Sequence, residues 1–143
     1  MSIKTQLTED MKSAMKAREM DRLTTIRFLL SEIKNAEIDR GELDDTGIQK
    51  LIASQVKKIK DAIIEFEKAD RQDLVAEETQ KVILLEAYLP AQLSDEDLTK
   101  IVKETLATVG SDNQGLLIGA VMKKVAGQAD GNRVSTAVRA ALN

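Results

Sequence analysis

The sequence predicts an all-α fold, and three observations support this prediction. Apolar residues recur at spacings of three and four along most of the chain, and no segment alternates apolar and polar residues like a strand. The 143 residues include one proline and seven glycines, which argues against a loop-rich or all-β protein. The hydrophobic fraction of 43% is sufficient for a core. We therefore expect one helical domain or two small ones.

Two amphipathic helices are predicted at the beginning of the chain. The first has an apolar residue every four positions from Ile3 to Met15 and ends near Arg18. Asp21 is the expected cap of the second helix. That helix stops at Gly41, because glycine readily adopts the left-handed backbone found at helix ends.

A third and a fourth helix are predicted before residue 90. The third is the longest, begins at Asp44 or Asp45, and has an apolar stripe that continues to Phe66. The fourth ends at Leu89, since Pro90 disfavours helical backbone in the residue before it. These four helices form an N-terminal lobe, about 1–90, which we expect to contain two antiparallel hairpins.

Three shorter helices are predicted in a compact C-terminal lobe, about 94–143. Ser94 and Asp97 resemble a capping box at the start of the fifth helix. A polar turn at 110–115 precedes the sixth helix, which ends at Gly127. Asp130 is the expected cap of the seventh.

The composition excludes several classes of function. The chain has no cysteine and no histidine, which removes disulfides, thiolate nucleophiles, imidazole bases and Cys/His zinc sites. We expect no metal and no cofactor, because phosphate-loop and EF-hand spacings are also missing. No run approaches the length of a membrane span and no leader pattern is visible, so we expect a cytoplasmic protein that does not bind membranes.

Basic residues concentrate at the C-terminal end of a chain whose net charge is −3. Residues 113–143 carry a net charge of +3, from Lys123, Lys124, Arg133 and Arg139 against Asp130. A basic segment behind an acidic body indicates an end that faces a polyanion, and these four residues are the first-choice RNA contacts. Ordinary variation in composition is the alternative explanation.

A second basic cluster lies on the third helix and just after it. It comprises Lys57, Lys58, Lys60 and Arg71. Two interpretations are open: a solvated face in which Lys57 pairs with Asp61 at i,i+4, or a patch that contacts phosphates.

Glycines and an acidic cap form a motif between the last two helices. Exposed N–H groups at a helix N-terminus can receive a phosphate, but a capping carboxylate at Asp130 would occupy them. The alternative is a tight turn whose glycines serve only the backbone geometry. The structural motif residues are Pro90, Gly119, Gly127, Asp130 and Gly131.

Several of these segments together resemble the GatB/YqeY family, over nearly the whole chain. Gln128 departs from the family pattern, in which arginine is frequent at this position. The segments that carry the resemblance are 56–69, with its basic helix, Arg71–Leu74, Tyr88–Ser94, Gly119–Met122, and Gly127–Gly131 with Val134.

The resemblance implies a small bacterial YqeY-like protein whose C-terminal part is similar to the tail of the B subunit of the glutamyl/aspartyl-tRNA amidotransferase. That tail helps to hold tRNA. The leading hypothesis is therefore a non-catalytic helical module that binds tRNA or associates with tRNA amidotransferase subunits or another RNA enzyme. One alternative is a component of a carbon–nitrogen ligase with glutamine as amide donor. The other is a protein-interaction module that does not bind RNA.

Overall fold

The computed structural model describes residues 1–110 and 112–143, and the regular secondary structure in these ranges is all helical, as predicted. Ser111, in the predicted turn at 110–115, lies outside the described residues. The helices divide into two compact units, Met1–Tyr88 and Leu89–Asn143. In chain order they are α1 (Ile3–Ala17), α2 (Met20–Arg40), α3 (Asp45–Lys68), α4 (Gln72–Glu86), α5 (Asp95–Val109), α6 (Gln114–Val125) and α7 (Gly131–Leu142).

Short polar side chains cap most of these helices. Ser2 accepts a hydrogen bond from the Thr5 amide at the start of α1, and Asp44 accepts one from the Gly47 amide at the start of α3. Ser94, Asn113 and Asp130 do the same for α5, α6 and α7. Each such bond satisfies one of the amides that a helix N-terminus leaves without an intrahelical partner.

The beginning of α2 differs from the prediction. The helix begins at Met20, and Asp21 lies in its first turn rather than at the cap. Arg18 adopts left-handed backbone, and the Glu19 amide donates to the Ala14 carbonyl at 3.0 Å. The connection from α1 is therefore so tight that α2 starts before Asp21 is reached.

Two helix ends also differ from the prediction. Helix α4 ends at Glu86 instead of Leu89, and the Tyr88 amide bonds the Leu85 carbonyl, three residues back. Such a bond tightens the last turn and stops the α-helix ahead of Pro90. Helix α6 ends at Val125, because Ala126 already adopts left-handed backbone before Gly127.

Unit Met1–Tyr88 contains two antiparallel hairpins, α1 with α2 and α3 with α4. Lys4, near the start of α1, is 2.6 Å from Glu37, near the end of α2. Inside the unit, apolar side chains from all four helices form the core, burying Leu7, Ala14, Leu23, Ile26, Leu29, Ile33, Ile48, Ile52, Val56, Val82 and Leu85.

Unit Leu89–Asn143 packs its three helices around a second core. The hydroxyl of Thr105, the buried polar residue of this unit, donates to the Ile101 carbonyl at 2.7 Å, so it is satisfied within its own helix. The core side chains are Leu98, Val102, Leu117, Val121, Val125, Ala129, Val134 and Val138.

Candidate functional site

Three of the first-choice basic residues lie on the surface of α6 and α7. Lys123 and Lys124 are exposed in the last turn of α6, where a positive charge also interacts favourably with the helix dipole. Arg139 is exposed in the last turn of α7, and its Nε donates a long bond of 3.4 Å to the Ser135 carbonyl. None of the three forms an ion pair with another described residue. Their charges are therefore available to an anionic partner.

Arg133, the fourth first-choice residue, has partners inside its own unit. Its Nη2 donates to the Leu93 carbonyl at 2.6 Å and to Asp95 Oδ1 at 2.9 Å. The side chain is only 29% exposed, whereas that of Asp95 is 95% exposed. Arg133 thus ties α7 to the segment that enters α5.

The turn between α6 and α7 receives the segment that begins at Pro90. The Leu93 amide donates to the Gln128 carbonyl at 2.8 Å, and Gln92 Nε2 donates to the Gly127 carbonyl at 3.1 Å. Gly127 has a φ of +87°, and a Cβ added there would meet the Pro90 ring at 3.7 Å, an ordinary contact. Glycine is therefore favoured here by backbone conformation rather than by space.

The N-terminus of α7 is capped by an acidic side chain. The Asp130 carboxylate accepts a hydrogen bond of 2.8 Å from the Arg133 amide. A capping carboxylate occupies amide donors and repels anions, so this helix end does not favour a phosphate. The other two motif glycines, Gly119 and Gly131, have open space where a Cβ would lie.

The second basic cluster is partly neutralised within its own unit. Lys60 Nζ is 3.7 Å from Glu86 Oε1. Arg71 donates two hydrogen bonds, of 3.2 and 3.0 Å, to Asp73, and the same bonds lower the pKa of the Asp73 carboxyl. Both residues have their charge matched by an adjacent carboxylate.

The other two lysines of this cluster, Lys57 and Lys58, are exposed on α3. Among the described residues neither forms an ion pair, so the pairing of Lys57 with Asp61 that the spacing allows is not made. This cluster therefore offers two available charges.

A polar cluster that the sequence did not predict joins α1 to the end of its unit. The Tyr88 hydroxyl donates to Asp10, which also accepts a 3.0 Å bond from Gln6 and lies 3.8 Å from Arg22. Burial, and then the hydrogen bond to Asp10, raise the pKa of Tyr88 above its ordinary value. A signal was present, because Tyr88 is the single tyrosine of the chain, but its partner is 78 positions away. The cluster therefore holds the C-terminal end of the Met1–Tyr88 unit against α1.

An open recess of about 490 Å³ lies beside the α2–α3 connection. Next to it, Glu37 accepts bonds from Lys4 at 2.6 Å and from the Leu43 amide at 2.9 Å, and these bonds lower the pKa of Glu37. Lys4 and Glu37 are therefore engaged in holding the α2–α3 connection. The recess is lined by Ser2, Lys4, Glu42, Leu43, Asp44, Asp45, Thr46 and Ile48.

Within residues 1–110 and 112–143, no three Asp or Glu side chains converge in a way that could hold a metal ion. No helix in the described part of the chain has the length and apolar character needed to cross a bilayer.

Comparison with known proteins gives a family match over almost the entire chain. The family described as Yqey-like protein matches residues 4–142. Three similar proteins are each named "Altered inheritance of mitochondria protein 41, mitochondrial". That of Lachancea thermotolerans is 37% identical over 83% of this chain and 66% of its own length. The protein of Kluyveromyces lactis is 39% identical over 68% of this chain and 55% of its own length. The protein of Clavispora lusitaniae is 31% identical over 83% of this chain and 71% of its own length.

These relatives correct three expectations. A bacterial, cytoplasmic protein was expected, but the relatives are fungal proteins named as mitochondrial. The carbon–nitrogen ligase expectation is also wrong, because the names refer to mitochondrial inheritance and not to a ligase. The expectation of a cytoplasmic protein rested on the lack of cysteine and of a membrane-spanning run. Neither feature distinguishes a protein of the cytoplasm from one of the mitochondrial interior. The chain spans less than two thirds of the first two relatives.

Proposed function

The chain belongs to the YqeY-like protein family, and from this premise we propose that it is a non-catalytic helical module that binds RNA, with tRNA as the first candidate. The observation that carries the proposal is the exposure of Lys123, Lys124 and Arg139 on α6 and α7 without ion pairs to other described residues. Lysine and arginine bind RNA chiefly by neutralising phosphates, which positions the RNA without reading its sequence.

The aromatic residues favour backbone contacts over base stacking. Phe28, Phe66 and Tyr88 are the three aromatic residues of the chain. All three precede the Leu89–Asn143 unit, which carries the basic surface formed by the exposed lysines and arginine of α6 and α7. Recognition of single-stranded bases relies on aromatic platforms. A basic surface without them suits structured RNA such as tRNA. Because the relatives are named mitochondrial, a mitochondrial tRNA is the RNA to test first.

Titration of labelled tRNA against the full chain at several salt concentrations tests the proposal. With three phosphates neutralised, the logarithm of the association constant should fall with the logarithm of salt with a slope of about −2.5. Combined replacement of Lys123, Lys124 and Arg139 by glutamine should remove most of this slope and weaken binding about tenfold or more at low salt.

A matched control lies in the same unit. Lys100 and Lys103 are exposed on α5, and their replacement by glutamine should leave the slope nearly unchanged. Replacement of Lys57 and Lys58 asks whether α3 contributes. Absence of binding at low salt would refute RNA binding, whereas binding that the triple replacement does not weaken would refute this surface.

A further inference from the structure

Helix α2 presents a stripe of uncharged residues to solvent, opposite the side that enters the core. Two large apolar residues lie on it, with Phe28 56% exposed and Ile38 74% exposed. The buried positions of α2, among them Ile26 and Ile33, are on the other side of the helix. The stripe consists of Thr24, Phe28, Ser31, Asn35 and Ile38, spaced by four, three, four and three residues.

This spacing is the a/d pattern of a two-helix interface. Phe28 and Asn35 occupy a positions, and Thr24, Ser31 and Ile38 occupy d positions. An exposed a/d stripe indicates a second helix that would cover it, because a surface helix ordinarily carries charged residues there.

The two edges of the stripe carry opposite charges. Arg27 and Lys34 occupy the g positions along one edge, and Glu32 and Asp39 occupy the e positions along the other. Arg27, Lys34 and Asp39 form no ion pair with any described residue. Within the described part of the chain, the bond that Glu32 accepts is a long one of 3.5 Å, from Gln55.

We propose that this stripe is an interface for a second copy of this chain, with the two α2 helices parallel. In a parallel pair the g edge of each helix faces the e edge of the other. Arg27 then meets Glu32 of the partner subunit, and Lys34 meets Asp39 of the partner subunit. In an antiparallel pair, basic edges would face each other and acidic edges would face each other, which is unfavourable. The charge pattern therefore selects both the occupant and its direction.

The composition of the stripe makes the dimer weak. It extends about 21 Å along the helix, and Phe28 and Ile38 are its only large apolar members. Such an interface is smaller than the standard size for stable complexes. Asn35 at an a position favours a defined register at a cost in affinity. Dimerisation therefore depends on protein concentration.

Sedimentation equilibrium of the full chain between about 1 µM and about 1 mM tests self-association. We expect a monomer–dimer equilibrium that Phe28→Ala shifts to monomer. Ile83→Ala is the matched control, because Ile83 is 59% exposed, lies on α4 and is not part of the stripe. This change should leave the equilibrium unchanged. A wild-type chain that stays monomeric at the highest concentration would overturn the proposal.

Charge reversal tests the pairing of the edges. Arg27→Glu with Lys34→Glu makes both edges acidic, and Glu32→Lys with Asp39→Lys makes both basic, so each variant alone should dissociate about tenfold more readily. A mixture of the two variants should recover dimers. Thermal unfolding of each variant confirms that it is folded. Self-association that these reversals leave unchanged would contradict the assignment.

A single cysteine tests the direction of the helices. The chain has no cysteine, so Thr24→Cys introduces a unique thiol at one end of the stripe. Two parallel helices bring these thiols together, and mild oxidation should give a disulfide-linked dimer. Antiparallel helices place Thr24 near Ile38 of the partner subunit, and the absence of crosslinking in a chain that dimerises would overturn the parallel arrangement.

Discussion

Replacement of Arg133 by alanine should destabilise the Leu89–Asn143 unit rather than act mainly on RNA binding. The change removes a 2.6 Å bond from a guanidinium to the Leu93 carbonyl, and a bond of this charged kind contributes about 1.5 to 3 kcal/mol. The ion pair with Asp95 adds at most about 0.5 kcal/mol, because that carboxylate is 95% exposed. Since the Arg133 side chain is itself 29% exposed, we expect a total loss of about 1.5 kcal/mol.

The measurement is the free energy of unfolding in urea, followed by circular dichroism, together with hydrogen exchange of the Leu93 amide. That amide donates to Gln128, and its protection should fall about tenfold when Arg133 no longer holds the segment. Asp95→Asn is the control and should cost about 0.5 kcal/mol or less. An Arg133→Ala chain with wild-type stability but strongly weakened tRNA binding would refute the structural role.

Three further predictions concern the core and two ionisable groups. Leu117→Ala should lower the free energy of unfolding by about 3 kcal/mol, because Leu117 is fully buried. Leu116→Ala is the control and should lower it by about 0.5 kcal/mol or less, because Leu116 is 57% exposed. Equal losses would contradict the packing. Tyr88 should ionise above pH 10 in an absorbance titration of the native protein, because burial favours its neutral form. The stabilisation of the fold by neutral Tyr88 is present below pH 10 and is lost as pH rises through the raised pKa. A native midpoint at pH 10 would contradict this prediction. The bond from Lys4 lowers the pKa of Glu37 below 4.5, so the stabilisation of the fold by ionised Glu37 is present above pH 4.5 and disappears as pH falls through the lowered value. Glu37→Gln should therefore reduce the loss of thermal stability on acidification. An unchanged loss of stability at acid pH would argue against the bond.

The positions of the helices were largely predictable because their signals are local. Asp44, Ser94 and Asp130 each cap a helix by accepting a hydrogen bond from an amide three residues away. The local pattern indicates Ser94 and Asp130 directly, and at the start of α3 it leaves a choice between Asp44 and Asp45. Asp21 was assigned wrongly as a cap because the tight turn at Arg18 depends on how α1 packs against α2. The local pattern contains no information about that packing.

The candidate surface was only partly predictable. The sequence grouped Arg133 with Lys123, Lys124 and Arg139 as one basic set, since all four lie within a short segment. Their side chains have different surroundings, because Arg133 meets a carbonyl 40 positions earlier in the chain. Proximity in sequence predicts a common charge but not a common partner.

By itself, the amino-acid order determined the helical class, the apolar faces and most of the caps, because these depend on contacts within one or two helical turns. Tertiary structure decided which charges are matched and which apolar residues stay uncovered. Phe28 and Ile26 are equally apolar in the sequence, yet one faces solvent and the other is buried. The physical reason is that burial is a property of neighbouring helices, and those neighbours are brought together only by the folded chain.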